Sequence, residues 1–169
     1  SIDHIQYPAD LLRSKAGDCD DLTALYCALL ENSGVATALV DYPGHIFLIF
    51  DSGISRQQSY LLPLDRNLYI LRGDKLWIPV EITQLDESFE HAWRTGVEEL
   101  GKLTPWDRLR LIVDTDQAWE DFPPAELATG NELAPPDRAS LDQSVQTGLN
   151  ELRRLIDERV ARSELNLEE

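Results

Sequence analysis

The segment from Asp18 to Gly34, DCDDLTALYCALLENSG, limits the possible folds most, because it predicts an amphipathic helix over residues 18–33. Asp18 is a typical N-cap with Asp21 three residues later, as in a capping box, and Gly34 suits the residue after the helix end. Cys19 falls on the inward face in the first turn, so we expect its side chain to face the core. Apolar side chains follow helical spacing at Leu22, Leu25, Tyr26, Leu29 and Leu30.

Two β-hairpins are expected after this helix. The runs VATALVDY and HIFLIFD are rich in β-branched and aromatic residues, and the Pro-Gly pair between them is typical of a tight turn. A polar segment at 51–67 leads to the second hairpin, LYILR and KLWIPVEI, which turns at Gly73-Asp74. Pro79 cannot donate a hydrogen bond to a neighbouring strand, so its strand is expected to be an edge strand or to be irregular there.

A second helix and an ambiguous segment complete the predicted domain. The run RLRLIVD, residues 108–114, fits either a strand or part of a helix. The order helix, antiparallel strands, helix indicates an α+β fold in one domain over residues 1–121. Residues 86–100 predict an amphipathic helix whose inward side chains are Phe89, Trp93, Val97 and Leu100.

A proline-rich linker and a charged helix follow this domain. Residues 122–137, FPPAELATGNELAPPD, have the composition of a linker. The last segment, 138–169, is expected to be a charged helix that either packs back on the domain or pairs with a partner. Its apolar residues recur at near-heptad spacing, at Leu141, Val145, Leu149, Leu152, Ile156 and Val160.

Composition fits a folded domain and argues against some partners. Of the 169 residues 43% are apolar, yet no apolar run reaches the roughly 18 residues that span a membrane. With 31 acidic and 15 basic residues the net charge is −16, which argues against nucleic-acid binding because phosphates need a basic surface. The chain lacks methionine and begins with Ser1, so we expect an excised domain. Its compartment stays open, with a periplasmic or extracellular parent favoured.

The two cysteines are expected to be free thiols. Cys19 and Cys27 are eight residues apart on one predicted helix, which separates them by about 12 Å at a rise of about 1.5 Å per residue. That distance is too long for a disulfide. Cys27 is expected to fill the core.

A reactive cysteine needs its thiolate form, and the groups around Cys19 have opposite effects on the stability of that thiolate. A helix N-terminus favours the anion, whereas the neighbouring aspartates disfavour it. A cationic partner such as a histidinium is therefore required. His45 is the best placed of the three histidines because it opens a strand after the tight turn, whereas His4 lies near the chain start and His91 in the middle of a predicted helix.

Glu81 is the predicted partner of this histidine. It is the only acid in the apolar run from Leu76 to Ile82, and a buried carboxylate is costly unless it is paired. A third group of this kind would hold the tautomer of the His45 ring. An alternative is a divalent cation held by Asp18, Asp20, Asp21 and His45. We do not favour it, because no EF-hand loop is present and zinc would require a further His or Cys; no metal or other cofactor is expected.

The pattern GDCDDL, then PGHIF, then LWIPVEIT resembles the transglutaminase-like superfamily, a papain-related cysteine-enzyme fold with bacterial-type members. On this resemblance Cys19 matches the nucleophile and His45 the general base, while Trp77, Glu81 and Thr83 match the motif of the orienting acid. The chain departs from the pattern by having Glu for Asp, Ile for Pro after it, and His-Ile-Phe for His-Ala-Trp. The resemblance covers about residues 8–100.

The resemblance implies acyl transfer at an amide bond. Cys19 would attack the carbonyl of a protein or peptide substrate, and His45 would protonate the leaving amine. Hydrolysis of a peptide, isopeptide or side-chain amide is favoured over protein cross-linking. The backbone N–H of Cys19 and the side chain of Gln6 are the candidate oxyanion donors. The alternative is a non-catalytic module that keeps the fold to bind peptides or to mediate assembly.

Overall fold

The computed structural model of the chain describes residues 5–60, 65–123 and 134–165. These residues form an α+β fold around one curled, antiparallel sheet of five strands in the order β3-β4-β2-β1-β5. The strands are β1 Thr37–Tyr42, β2 His45–Ser55, β3 Ile70–Arg72, β4 Lys75–Val80 and β5 Ile112–Asp114. The helices are α1 Pro8–Ser14, α2 Cys19–Asn32, α3 Arg56–Ser59, α4 Phe89–Gly101, α5 Pro105–Leu111, α6 Thr115–Asp121 and α7 Arg138–Leu165, with a 3-10 turn at Arg66–Leu68.

Both predicted hairpins are confirmed. β1 pairs with β2 across the turn at Gly44, which has a φ of 88°, and β3 pairs with β4 across Gly73. Such a positive φ is readily adopted by glycine, which lacks a Cβ. The polar segment after β2 begins later than expected, because β2 runs on through Ser55 with an irregular register after Asp51.

Pro79 lies in a strand with neighbours on both sides, so the edge-strand alternative is wrong. β4 is flanked by β3 and β2, and Pro79 pairs with Ile49 of β2. On its other side β3 has already ended, since the last pair between the two strands is Ile70 with Trp77. The missing N–H of the proline therefore costs no hydrogen bond to β3.

Helix α2 confirms the first predicted helix, and Gly34 follows its C-cap with a φ of 81°. Two details of the prediction are wrong. Asp18 is the N-cap residue, but its side chain makes no capping hydrogen bond, and the Asp21 N–H donates to Oδ1 of Asp20 at 3.1 Å instead. The Asp21 carboxylate accepts hydrogen bonds from Gln6, so the capping box is not formed. Leu29 is 52% exposed, since the sheet covers a narrower arc of the helix than the apolar stripe.

Alternate side chains of the strands enter two hydrophobic clusters. One lies under α2 and includes Leu22, Leu48 and Ile78, while the other lies on the opposite side of the sheet and includes Phe47 and Trp77. The strands are buried on both faces, which explains why their sequences read as nearly continuous apolar runs. This burial fixes the strand register, since a shift by one residue would exchange the two faces.

Helix α4 crosses the end of β4 at close range. It begins after Ser88, whose side chain accepts a hydrogen bond from the His91 backbone N–H, and it buries Trp93 as predicted. Gly96 packs directly on the backbone of Pro79 and Val80. The predicted inward Phe89 is wrong, because it lies in the first turn and is 41% exposed.

The ambiguous run 108–114 contains both the end of a helix and a short strand. Its first part ends α5, and its last three residues form β5, which pairs with β1. Arg72 on β3 and Asp114 on β5 form a two-bond ion pair of 2.8 and 3.2 Å. The two edge strands of the curled sheet are thus joined by side chains.

Helix α7 confirms the C-terminal helix. Leu152 and Leu155 pack in the hydrophobic cluster under α2, and Arg159 forms an ion pair with Asp65 at 2.7 Å. The predicted linker lies mostly outside the described residues, as do residues 166–169. Across the part of the chain that is described, no helix combines the length and apolar character needed to cross a membrane. The other apolar residues at near-heptad spacing on α7 are exposed: Leu141, Val145, Leu149, Ile156 and Val160.

Candidate active site

Cys19 is the first residue of α2, and its side chain is half-buried. α2 packs on β1 and β2, and one turn after Cys19 the Thr23 hydroxyl donates to the carbonyl of Ile46 at 3.4 Å. Residues four apart lie on the same face of a helix, about 6 Å apart along its axis. The start of α2 is thereby held over the start of β2, where His45 lies.

His45 is oriented by the predicted acid. It opens β2 directly after the Gly44 turn, and its Nε2 lies 2.5 Å from Oε2 of Glu81. An ionised carboxylate only accepts hydrogen bonds, so Nε2–H is the donor and Nδ1 is the ring nitrogen left for Cys19. Among the described residues no hydrogen bond joins the Cys19 thiol to this ring, and the pairing of the two stays a prediction.

Glu81 follows the last residue of β4 and is only 3% exposed. Its second oxygen, Oε1, accepts hydrogen bonds from the Thr83 hydroxyl at 2.6 Å and from the Thr83 N–H at 3.0 Å. Its own N–H donates to the carbonyl of Ala92 on α4 at 3.0 Å. Both carboxylate oxygens are therefore partnered, which offsets the cost of burying the charge and fixes its direction.

Tyr42 and Glu99 belong to the same cluster, and sequence reasoning did not identify either of them. Tyr42 is directly opposite His45 in the β1–β2 register, its ring edge meets the imidazole at a centroid distance of 5.7 Å, and its hydroxyl donates to Glu99. Burial and the Glu99 carboxylate raise the pKa of Tyr42 well above its usual range, and the charges of Glu81 and Cys19 add to this. The available signal was register, since residues that flank a two-residue turn face one another.

Glu99 is held on its other side by a lysine. Lys102 forms an ion pair with the same carboxylate. Burial opposes ionisation of Glu99, but hydrogen bonds from Lys102 and Tyr42 lower its pKa overall, and the charge of His45 contributes in the same direction. A chain of polar contacts thus runs from the surface at Lys102 to the edge of the imidazole ring.

Gln6 forms hydrogen bonds with Asp21 and Ala16. Its Nε2 donates to Oδ2 of Asp21 and to the carbonyl of Ala16, both at 3.0 Å, and its backbone N–H donates to Asp21 Oδ1 at 2.7 Å. Asp21 is 4% exposed and ties the segment before α1 to α2. The oxyanion role of Gln6 stays a prediction, and it requires this amide to leave both partners.

The aspartates beside Cys19 form a cluster without His45. Oxygen atoms of Asp18, Asp20 and Asp21 lie within 4.8 Å of one another, and within the described ranges His45 is not part of this group. The pKa of Asp18 is raised to about 6, chiefly by its hydrogen bond to Asp20 and further by burial and by the charges of Asp20 and Asp21. The same bond lowers the pKa of Asp20, so Asp18 is the carboxyl of this pair that is protonated first as the pH falls.

Cys27 and Gly17 fit structural roles. Cys27 is 2% exposed, and burial raises the pKa of its thiol. Both cysteines are free, as predicted. A Cβ on Gly17 would lie 2.3 Å from Leu11 Cδ1, so a larger residue there would force the Leu11 side chain to shift.

The chain matches no protein-family model, no curated protein and no solved structure. The assignment of its function therefore depends on the chemistry of the site alone.

Proposed function

We propose that this domain is a cysteine-dependent enzyme of the transglutaminase-like type that hydrolyses amide bonds in peptide or protein substrates. Cys19 is the nucleophile, His45 the general base and acid, and Glu81 the orienting carboxylate. The observation that carries the proposal is the 2.5 Å bond between His45 and the buried Glu81. It is supported by the bond from Thr23 to Ile46, which attaches the first turns of α2 to the start of β2.

The reaction would begin with transfer of the Cys19 proton to Nδ1 of His45. The thiolate attacks the amide carbonyl carbon, and the resulting oxyanion takes a hydrogen bond from the Cys19 N–H, one of the first N–H groups of a helix, which have no partner within the helix. His45 then protonates the leaving amine as the C–N bond breaks. Water, deprotonated by His45, cleaves the thioester and releases the acid and the free thiol.

The environment of Glu81 supports this division of roles. Because its carboxylate is fixed by Thr83 and faces Nε2, it stabilises an imidazolium without itself leaving its position. The adjacent aspartates oppose thiolate formation at Cys19, so the imidazolium is the main group that can offset them. Glu81 stands where the family motif has an aspartate, and its side chain is longer by one CH₂ group. Its backbone lies just past the end of β4, and from there the longer side chain reaches His45.

The test compares alkylation of the two cysteines by iodoacetamide, followed by peptide mass spectrometry. Cys19 is expected to react much faster than the buried Cys27, which serves as the internal control. In His45→Ala the Cys19 rate at about pH 6.5 should fall about tenfold, because an ion pair worth about 1.4 kcal/mol changes a population tenfold. His91→Ala, on the exposed side of α4, is the matched control and should leave the rate unchanged.

Catalysis is tested with a library of peptide amides and product analysis. Glu81→Gln keeps the shape of the side chain but removes its charge, and we expect turnover to fall by at least about 100-fold, as for the acid of other triads. Cys19→Ala should abolish turnover. Equal alkylation rates in wild type and His45→Ala would remove His45 from its proposed role. A peptide that binds wild type and Cys19→Ala equally and is never cleaved would establish a binding module instead.

A further inference from the structure

The second feature that points to a ligand is a cleft between the two edge strands of the sheet. It has a volume of about 470 Å³ and lies between β3, β5 and α5. We propose that this cleft binds an acidic peptide segment in an extended conformation. The proposal concerns a different surface from the candidate active site and does not depend on the proposed function.

The two strands that border the cleft offer free backbone groups. In the described part of the sheet β3 pairs only with β4, and β5 pairs only with β1. The Arg72–Asp114 ion pair joins the last residue of β3 to the last residue of β5. An edge strand presents a row of unpaired N–H and C=O groups, which an extended peptide satisfies by adding a strand.

The charge of the cleft is opposite to that of the protein. Three arginines line it in a chain of net charge −16. Arg72 is neutralised by Asp114, whereas within the described ranges neither Arg66 nor Arg108 has a carboxylate within 4.0 Å. Arg108 donates to the Leu100 carbonyl, but its buried Nε has no hydrogen-bond partner among the described residues. Among the described residues, no carboxylate therefore offsets the charges of the Arg66 and Arg108 guanidinium groups, and both residues line the cleft.

The remaining wall of the cleft is apolar. Ile70 and Ile112 line it from the strands, Tyr69 lines it just before β3, and Leu109 of α5 lines it while remaining 77% exposed. Arg66 lies over the ring of Tyr60 at 5.2 Å, which holds its guanidinium at the rim. Successive side chains of an extended peptide point in opposite directions, so a segment of alternating apolar and acidic residues meets the apolar wall and the arginines together.

The experiment uses the whole chain and a fluorescein-labelled, N-acetylated hexapeptide of alternating valine and glutamate, with binding followed by fluorescence anisotropy. The matched probe has glutamine in place of glutamate. We expect the glutamate peptide to bind at least about tenfold more tightly, because hydrogen bonds to charged groups exceed neutral ones by about 1 kcal/mol or more each. Added salt should weaken its binding.

The variant Arg66→Ala with Arg108→Ala should reduce the affinity at least about tenfold, since it removes the two positive charges of the cleft that no described carboxylate offsets. Arg110→Ala is the control, because this residue is on the same helix but does not line the cleft. Hydrogen exchange of wild type gives a measurement that needs no variant, and the peptide should slow exchange in Ile70–Arg72 and Ile112–Asp114. Equal affinity of the two peptides, an unchanged affinity of the double variant, or no protection of these strands would overturn the proposal.

Discussion

Gly96 gives a direct test of how α4 is placed on the sheet. A methyl group at this position would lie 2.7 Å from the carbonyl carbon of Pro79 and from the nitrogen of Val80, and 2.8 Å from the Val80 Cα. Carbon atoms in contact are normally about 3.5–4.0 Å apart, so Gly96→Ala must move the helix away from β4 by about 1 Å. The obstructing atoms are backbone, which has no rotamer to change.

The expected change in unfolding free energy combines two opposing contributions, overpacking and helix propensity. Overpacking of this kind costs about 1–3 kcal/mol of unfolding free energy. Alanine is better than glycine in a helix interior by about 1 kcal/mol, which offsets part of the cost. We therefore expect Gly96→Ala to lower the free energy of unfolding by up to about 2 kcal/mol, with the largest loss if α4 cannot move away from β4.

Urea unfolding followed by circular dichroism measures this difference. Gly148→Ala in α7 is the matched control, because a Cβ there meets nothing within 4 Å, and it should stabilise the protein by up to about 1 kcal/mol. The two variants change the same chemical group in the same secondary structure, so only the contact differs. If both raise the urea midpoint equally, the close packing of α4 on β4 is refuted.

Two further predictions concern the surroundings of the triad. Thr83→Val removes the 2.6 Å hydroxyl bond to Glu81 and should lower unfolding free energy by about 1.5–3 kcal/mol and slow Cys19 alkylation, whereas Thr95→Val, whose hydroxyl bonds only within α4, should leave alkylation unchanged. Asp18 has a folded-state pKa raised to about 6 from 3.8, so its contribution to stability is present below pH 3.8 and lost as pH rises through about 6. Asp18→Asn should therefore raise the urea midpoint at pH 7 but not at pH 4; an equal effect at both would contradict this.

The elements that were predicted correctly are those with strong local signals. Helix α2 has an apolar stripe and a terminal glycine, and each hairpin has a turn pair between β-rich runs, so neighbouring residues suffice to define them. The run 108–114 could not be assigned because a helix end and a short strand adjoin within it at Ile112. Pairing with β1, which is distant in sequence, decides where the strand begins.

The parts of the site that were missed depend on contacts across the fold. The isolated acid in an apolar strand was sufficient to pair Glu81 with His45, since an unpaired charge there would be costly. Nothing in the local sequence indicates that Glu99 reaches Tyr42, 57 residues away, or that Asp21 turns to Gln6 and leaves the cap. Both depend on how α4 and the segment before α1 are packed, which a linear pattern does not encode.

The union of β3 and β5 through Arg72 and Asp114 has a consequence for local motion. Side chains close the sheet at this position, so the two strands can part without breaking any ladder between them. Opening at this seam requires the two bonds of the ion pair to break and the Arg72 guanidinium to leave the Trp77 ring, over which it lies at 4.6 Å. Local separation of strands is therefore expected first between β3 and β5, and last around β2, which is hydrogen-bonded to both β1 and β4.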